Sequence, residues 1–296
     1  MKKFKLHQLS DEELKELHDC LIEMYEDVLT FCNKHKIQIL MGGGSVLGTF
    51  RHHGFIPWDD DLDLQMLRSD FDVFLKYFDK ELGGKYYIYA PNTKYGSRTC
   101  FPRLIRKDTT LIDIRGLTGS YHTGIWIDIN LLEYVPENKL IRTVKGLRCD
   151  IVRVIAASVH WYTNRNKYVD TYYSHSKSYN IKLLMGKLFS FRKYQSWYDE
   201  FDKISRYNKV TSIITCPSGR KYYLGECRRA KSWLPPVEMK FEGKLAYVPH
   251  SVKSYLRSMY GDDYMQLPPA EKRENHSVVY MSTKEEVRYP EVLDLI

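Results

Sequence analysis

Apolar residues at helical spacing follow Ser10 and predict a long first helix. They recur every three or four residues, at Leu14, Leu17, Leu21, Tyr25, Val28 and Cys32. Ser10 and Glu13 have the residue types and the spacing of a capping box, in which each side chain bonds the backbone N–H of the other residue. The helix is expected to end near Lys36 and to serve packing.

Short apolar strands and helices then alternate. Strands are predicted at 37–41, 61–66, 86–90, 101–106, 109–114 and 124–129. A short helix is predicted at 45–51, and a second one at 70–78, with Ser69 as its N-cap and Phe71, Phe74 and Phe78 on one face. This order of elements predicts an α/β (α+β) fold, in which helices flank a mixed sheet.

The character of the chain changes after Pro136. Residues 1–136 are predicted to form a catalytic core, and residues 137–232 a mainly helical lobe that is rich in Tyr, Lys and Arg. Residues 233–296 are predicted to pack back on the core. No low-complexity linker separates the three parts, so they are expected to pack together.

Composition and charge narrow the class of protein. Among 296 residues, 43% are hydrophobic and 28% are charged, which is typical of a folded protein. The net charge is +8, and residues 141–232 contain 19 Lys and Arg against 6 Asp and Glu. Such a basic lobe suggests an anionic partner, which can be a phosphorylated substrate, an acidic membrane surface or nucleic acid. A solvated basic surface is the alternative.

Two further patterns bear on location and cofactors. The six cysteines are scattered without a C-x-x-C pair, which argues against a structural zinc site and a disulfide framework. No run of 18 apolar residues occurs, and the N-terminus lacks the apolar core of a secretion signal. A cytoplasmic protein is expected.

Asp61 and Asp63 are the strongest candidates for chemistry. Side chains alternate along a strand, so these two carboxylates point the same way while Leu62 and Leu64 face the core. Neighbouring like charges repel, and a divalent cation such as Mg²⁺ (with Mn²⁺ as the alternative) would offset this repulsion. A solvated strand end is the other interpretation. Asp59 and Asp60 are interpreted as loop residues that orient the pair or are simply solvated.

A glycine-rich turn lies 16 residues or so before this pair. The run from Gly42 to Ser45 joins a strand to a helix, where glycines and free N–H groups favour a phosphate. The hydroxyl of Ser45 and the guanidinium of Arg51 are further candidate phosphate contacts. The turn is neither a Walker A loop nor a Rossmann fingerprint.

A third carboxylate is expected on a neighbouring strand. Asp128 is one polar residue in the apolar run 124–129, and a lone buried carboxylate is costly unless it is paired or bound to metal. A structural salt bridge is the alternative. Asp113 is a rival for the same position, although Arg115 offers it a partner.

The segment 44–64, which contains Gly-Phe-Ile-Pro-Trp-Asp-Asp-Asp-Leu-Asp-Leu, resembles the LicD family of phosphocholine transferases, which is similar to the fukutin-related ribitol-phosphate transferases. The resemblance continues through 101–110 and 124–129. It returns at 241–243, 260–269 and 273–276, so it covers nearly the whole chain except 141–232. Asp128-Ile-Asn-Leu-Leu-Glu133 departs from the family's usual Asp-Ile-Phe-Pro-Leu-Asp, which puts the identity of donor and acceptor in question.

The resemblance implies a nucleotidyltransferase-type fold. It implies that Gly44 and Ser45 grip phosphate and that Asp61, Asp63 and Asp128 bind catalytic Mg²⁺. Family members transfer a phospho-alcohol such as phosphocholine from CDP-choline to a glycan hydroxyl, as in lipopolysaccharide or teichoic acid modification, and release CMP. Asp128 can also accept the proton of the attacking hydroxyl.

Three further interpretations complete this picture. Arg103 is a candidate anion contact. His276 matches a family position and is interpreted as a phosphate contact or as a packing residue. The 260–269 segment forms either a loop against the active site or an aromatic and proline packing unit.

Two rival functions also fit the sequence. A true nucleotidyltransferase would move the NMP of an NTP to a small-molecule hydroxyl and release pyrophosphate. A nucleic-acid or membrane-binding protein would use the aromatic and basic residues of 141–232. No nucleic-acid motif occurs, so the lobe is expected to serve a glycan or lipid-linked acceptor, with possible peripheral contact at the anionic inner face of the membrane.

Overall fold

The first helix begins as the sequence predicts. The computed structural model describes residues 7–117, 121–269, 271, 273 and 278–294. The hydroxyl of Ser10 accepts from the backbone N–H of Glu13, and the Glu13 carboxylate accepts from the N–H of Ser10 at 2.8 Å, which confirms the capping box. The buried face of this helix contributes Leu17, Leu21 and Val28 to the core.

Helices and strands alternate in the first half of the described chain, and helices dominate the middle. The helices are α1 (Asp11–His35), α2 (Gly43–His52), α3 (Arg68–Glu81), α4 (Lys139–Thr163), α5 (Lys167–Tyr172), α6 (Lys177–Phe189), α7 (Tyr194–Ser205), α8 (Tyr222–Gly225) and α9 (Val252–Tyr260). The strands are β1 (Ile39–Met41), β2 (Asp63–Leu67), β3 (Tyr86–Tyr89), β4 (Arg103–Arg106), β5 (Thr110–Asp113), β6 (Trp126–Tyr134), β7 (Ile213–Thr215), β8 (Arg228–Arg229), β9 (Val237–Phe241), β10 (Lys244–Val248) and β11 (Val278–Ser282). The predicted α/β class with a mixed sheet is confirmed.

The main sheet has the strand order β1-β2-β6-β4-β3, and β7 and β8 extend it beside the second half of β6. Strands β2 and β6 are parallel, whereas the other neighbouring pairs are antiparallel. The register places Asp63 opposite Asp128, and Asp128 opposite Arg103 on β4. Two residues that are 65 positions apart therefore become neighbours across the centre of the sheet.

The two central strands divide their side chains between core and pocket. Leu64, Met66, Ile127 and Ile129 are fully buried in the main hydrophobic cluster, which also includes the inner faces of α1 and α3. Successive residues of a strand point to opposite faces, and on the other face lie Asp63 and Gln65 of β2 and Asp128 and Asn130 of β6. The core therefore fixes the opposite, polar face of β2 and β6.

Helix α3 corrects one prediction. The helix begins at Arg68 directly after β2, its N-cap is Leu67, and no side chain caps it, so the proposed cap at Ser69 is wrong. No loop separates the strand from the helix here. Instead, the Arg68 guanidinium bonds the buried carboxylates of Glu133 at 2.6 Å and Asp202 at 2.7 Å, which ties the helix start to β6 and α7.

Helices α4 to α7 form the lobe, and helix α6 packs closely on α4. A Cβ atom on Gly186 would lie 2.2 Å from the carbonyl oxygen of Ser158, so only glycine allows this approach. The end of the predicted lobe does not stay helical, because β7 and β8 join the main sheet. None of the helices in the described part of the chain is long and apolar enough to cross a bilayer.

Candidate active site

A cavity of about 800 Å³ opens over the polar face of β2 and β6. It is lined by the start of α2, the loop before β2, residues 216–220, helix α9 and the segment 263–269. Asp61, Asp63, Asp128, Gly44 and Arg51 all line it, as the sequence analysis expects. Ser45 and Arg103 lie behind this lining, and His276 is outside the described residues.

The glycines at the start of α2 leave space for two carboxylates. A Cβ atom on Gly43 would lie 2.6 Å from Oδ2 of Asp63, and Gly43 has a φ of +41°, which L side chains rarely adopt. A Cβ atom on Gly44 would lie 2.9 Å from Oδ2 of Asp59. The helix N-terminus, which favours negative charge, therefore comes within contact distance of the acidic cluster.

Ser45 connects α2 to Asp63, the first residue of β2, whereas Asp61 lies in the loop before this strand and not on it as predicted. Its hydroxyl accepts from the backbone N–H of Asp63 at 2.9 Å, and its side chain is buried. The Gly42 N–H also bonds the carbonyl of Asp63 at 2.8 Å. The structure thus shows Ser45 as a positioning residue, while its contact with a phosphate stays a prediction.

Asp128 is held by Arg103. The Arg103 Nε atom donates to Oδ1 at 2.6 Å, and a terminal guanidinium nitrogen donates to Oδ2 at 2.8 Å. The guanidinium also stacks 4.4 Å from the ring centre of Trp126. Both residues are buried, so this is the charge-assisted, bidentate pair that the salt-bridge alternative describes.

Asp113, the rival of Asp128, lies outside the cavity lining. It accepts from Arg115 at 2.8 Å and from the backbone N–H of Gly116 at 2.7 Å, where it caps a 3₁₀ turn. Burial opposes ionisation of this carboxyl, but the charges of Arg115 and Arg98 hold its pKa well below the usual range. It serves a structural ion pair.

The donor set at the Asp pair suits a hard cation with few protein ligands. Asp61 and Asp63 supply carboxylate oxygens, and the Asn130 amide donates to Oδ1 of Asp63 at 3.2 Å, which orients that side chain. Within the described ranges, no three His, Cys, Asp or Glu side chains are placed to hold one ion. Mg²⁺ is commonly held by one or two carboxylates together with substrate phosphates and water, so the pair fits it.

Several pocket residues escaped the sequence analysis. Gln65 is only 4% exposed and lines the cavity, and its Oε1 atom has no hydrogen-bond partner among the residues that the structure describes. Such an orphaned acceptor is costly unless a ligand or water satisfies it. Gln65 and Asn130 lie two positions after Asp63 and Asp128, so strand alternation alone could have identified them.

No pattern in the sequence identifies Glu226 or Ser218 as pocket residues. The Ser218 hydroxyl donates to Oδ1 of Asn130 at 2.7 Å. Glu226 is 1% exposed, accepts from the N–H of Lys221 at 3.1 Å, and lies 3.6 Å from Arg228. Burial raises the pKa of its carboxyl. These residues reach the pocket on loops whose path depends on tertiary packing.

The segment after α9 forms one wall of the pocket. Arg51 donates to the carbonyl oxygens of Tyr264 at 2.8 Å and Gln266 at 3.0 Å, so it holds this wall in place. Tyr264, Pro268 and Pro269 line the cavity. The segment combines both interpretations, because it lines the pocket and Tyr264 also packs near Phe50, with ring centres 6.2 Å apart. A phosphate contact by Arg51 stays a prediction.

Comparison with known proteins agrees with this geometry. Residues 36–143 match the model of the LicD/FKTN/FKRP nucleotidyltransferase domain. The chain is 26% identical over 261 residues to the lipopolysaccharide cholinephosphotransferase LicD of Haemophilus influenzae, which covers 83% of this chain and 89% of that protein. It is also 34% identical over 68 residues to an uncharacterised protein of Rickettsia prowazekii, over 21% of this chain and 26% of that protein.

The mixed sheet, with paired aspartates beside a glycine-rich helix start, agrees with the nucleotidyltransferase domain that the matching family model describes. The matched stretch, 36–143, contains the turn, the Asp pair and Asp128. Residues 36–143 are thus similar to the nucleotidyltransferase domain of the LicD family, and most of the chain is similar to a LicD cholinephosphotransferase, in agreement with the resemblance drawn from the sequence.

Proposed function

We propose that this enzyme moves a phospho-alcohol, with phosphocholine as the first candidate, from a CDP-alcohol to a hydroxyl of a glycan or lipid-linked saccharide, with release of CMP. The Haemophilus relative is a lipopolysaccharide cholinephosphotransferase, which supports phosphocholine as the transferred group and a glycan as the acceptor. The observation that carries the proposal is the single cavity in which Gly43, Gly44, Asp61 and Asp63 meet. The use of a CDP-linked donor agrees with a cytoplasmic site of action.

Asp61 and Asp63 would hold Mg²⁺ (or Mn²⁺). Asp128 pairs with Arg103 and completes no three-ligand group with them in the described part of the chain, so we propose it as the proton acceptor and not as the third ligand that the resemblance implies. The cation would neutralise the diphosphate and the charge that develops on the leaving CMP. A carboxylate offers about four lone-pair sites, so Asp128 can pair with Arg103 and still accept a further bond. We propose that this remaining capacity also takes the proton of the attacking hydroxyl.

The backbone at the start of α2 would bind a donor phosphate. Gly43 and Gly44 line the cavity without side chains, so a phosphate can approach the helix N-terminus closely. Gln65 lines the same pocket, and its unbonded Oε1 atom would accept a hydrogen bond from an N–H or O–H group of the substrate. These contacts would position the diphosphate beside the Asp pair.

Incubation of the purified protein with Mg²⁺ and a panel of CDP-alcohols and NTPs tests the proposal. Binding is measured by calorimetry, and products are identified with a glycan acceptor present. Asp61→Asn and Asp63→Asn should abolish CMP release, because each removes a metal-ligating charge. Asp79→Asn, at an exposed position of α3, is the matched control and should behave as wild type.

The products separate the rival reactions. CMP release that depends on Mg²⁺ and on both aspartates supports phospho-alcohol transfer. Pyrophosphate released from an NTP would instead establish a true nucleotidyltransferase. If no nucleotide binds and both Asn variants match wild type, the Asp pair is structural and the proposal fails.

A further inference from the structure

The outward side of α4 is apolar over its first three turns. Between 140 and 151, the exposed positions are all apolar except Arg148. They are Leu140, Ile141, Val144, Leu147 and Ile151, each of which is more than half exposed. Their spacing of three or four places them on one helix face that is roughly 16 Å long. A helix at a protein–water boundary normally exposes polar residues to water, so the polarity of this exposed face is the reverse of the usual one.

Helix α6 continues the same side of the lobe. Its Gly186 packs against Ser158 and Tyr162 of α4. Ser158 lies seven positions after Ile151, on the same face of α4, so α6 covers the second half of that face. Away from this contact, α6 exposes Ile181 and Leu184, and Leu188 is 69% exposed.

These residues make one apolar face on the lobe. Phe191, which follows α6, is 79% exposed and extends it. The apolar face is defined here as Leu140, Ile141, Val144, Leu147, Ile151, Ile181, Leu184, Leu188 and Phe191. Large exposed apolar side chains on two packed helices mark an interaction site in a folded protein.

The stretch of chain that carries the apolar face is strongly basic. Residues 137–193 contain twelve Lys and Arg but only three Asp and Glu. Six of the basic residues are exposed on α4, on α6 or just beyond them: Lys139, Arg148, Lys177, Lys182, Lys187 and Lys193. Apolar residues flanked by Lys and Arg are the pattern of helices that lie in a membrane interface.

We propose that the apolar face docks the enzyme on an anionic lipid bilayer, with the helices in the plane of the interface. A second copy of the chain fits less well, because a self-complementary contact would bring the basic rims of two lobes together. Nucleic acid complements the charge but leaves the apolar residues in water. The lipid surface satisfies both features at once.

Cosedimentation of the full chain with vesicles tests the docking. The vesicles consist of phosphatidylcholine alone or of phosphatidylcholine mixed with phosphatidylglycerol, at low and at high salt. Wild type should bind the anionic vesicles and lose part of this binding at high salt. The pairs Leu147→Gln with Ile151→Gln, and Leu184→Gln with Leu188→Gln, should each weaken binding about tenfold or more, because buried apolar area is lost.

Leu245→Gln, a partly exposed apolar position on β10, is the matched control and should bind as wild type. All variants should keep transfer to a water-soluble acceptor, which shows that they fold and separates this surface from the proposed reaction. Vesicle binding that both double variants retain, or its absence in wild type, overturns the proposal. A lipid-free dimer that the same substitutions dissociate would assign the face to a second copy instead.

Discussion

At the scale of single residues, the site depends on positions without a side chain as much as on the acidic side chains themselves. Gly43 and Gly44 lack side chains where the Asp63 and Asp59 carboxylates approach α2. Ser45 then uses its hydroxyl to hold the backbone of Asp63. The glycine run thus has a structural role besides the phosphate contact that the sequence suggested, because it lets an acidic strand end meet a helix N-terminus.

Gly43→Ala is expected to lower the rate of transfer by about 100-fold, since a displacement of even 1 Å at a reacting centre has effects of this size. The new Cβ would stand 2.6 Å from Oδ2 of Asp63, in a backbone conformation that alanine disfavours. The measurement is CMP release under saturating donor. Gly84→Ala is the control, because its Cβ would meet nothing within 4 Å. Equal rates for Gly43→Ala and wild type would contradict this account of the turn.

His160 of α4 makes stability depend on pH. Burial, assisted by the charges of Arg98 and Arg115, lowers its pKa from 6.5 to about 3. As the pH falls below 6.5, the unfolded chain binds a proton that the folded chain refuses, so the free energy of unfolding decreases. The slope is at most about 1.4 kcal/mol per pH unit and extends down towards the folded pKa.

Urea unfolding between neutral pH and about pH 4.5 measures this slope. His160→Gln should show a shallower fall in the free energy of unfolding over the same range, because glutamine does not titrate. His250→Gln, at an exposed site, should keep the slope of wild type. A slope that is identical in all three proteins would remove His160 as its source.

At the scale of elements, strand alternation predicted the site better than any motif taken alone. The pattern predicted Asp61, Asp63 and Asp128 on two strands. Asp61 lies in the loop before β2, but the parallel pairing of β2 with β6 brings Asp63 and Asp128 into register. Because side chains alternate along a strand, the residues two positions further, Gln65 and Asn130, are expected on the same face as Asp63 and Asp128. These residues lie in the pocket, but they carry no charge that would draw attention in a sequence.

Other element-scale features depended on tertiary contacts. Helix α3 begins at Arg68 and not after Ser69 as predicted. The guanidinium of Arg68 is held there by two buried carboxylates, one from β6 and one from α7. Arg103 pairs with Asp128 across β4 and β6, which neither sequence spacing nor residue type reveals. Ser218 and Glu226 enter the pocket on a loop between β7 and β8, and the path of such a loop is not encoded in local periodicity.

At the scale of the whole molecule, α4 connects the lobe to the pocket. Arg153 donates to the carbonyl oxygens of Pro217 at 3.1 Å and Gly219 at 2.8 Å. The residues around these carbonyls line the cavity that contains the Asp pair. The same helix therefore carries the proposed membrane-docking face at its start and supports the active-site wall in its middle. Docking would set the orientation of the pocket towards an acceptor held at the bilayer.

Arg153→Met tests this connection, because methionine keeps the apolar stem and removes the donors. The wall at 217–219 should then lose its anchor, and the KM for donor or acceptor should rise about tenfold, in keeping with the loss of charged hydrogen bonds worth ~1.5 kcal/mol. Vesicle binding should stay unchanged, since Arg153 lies outside the apolar face. Arg165→Met, at an exposed position beyond α4, should alter neither quantity. A rise in KM without a change in vesicle binding would show that α4 positions the pocket wall independently of its contact with lipid. An unchanged KM would show that the rest of the fold supports the wall without Arg153.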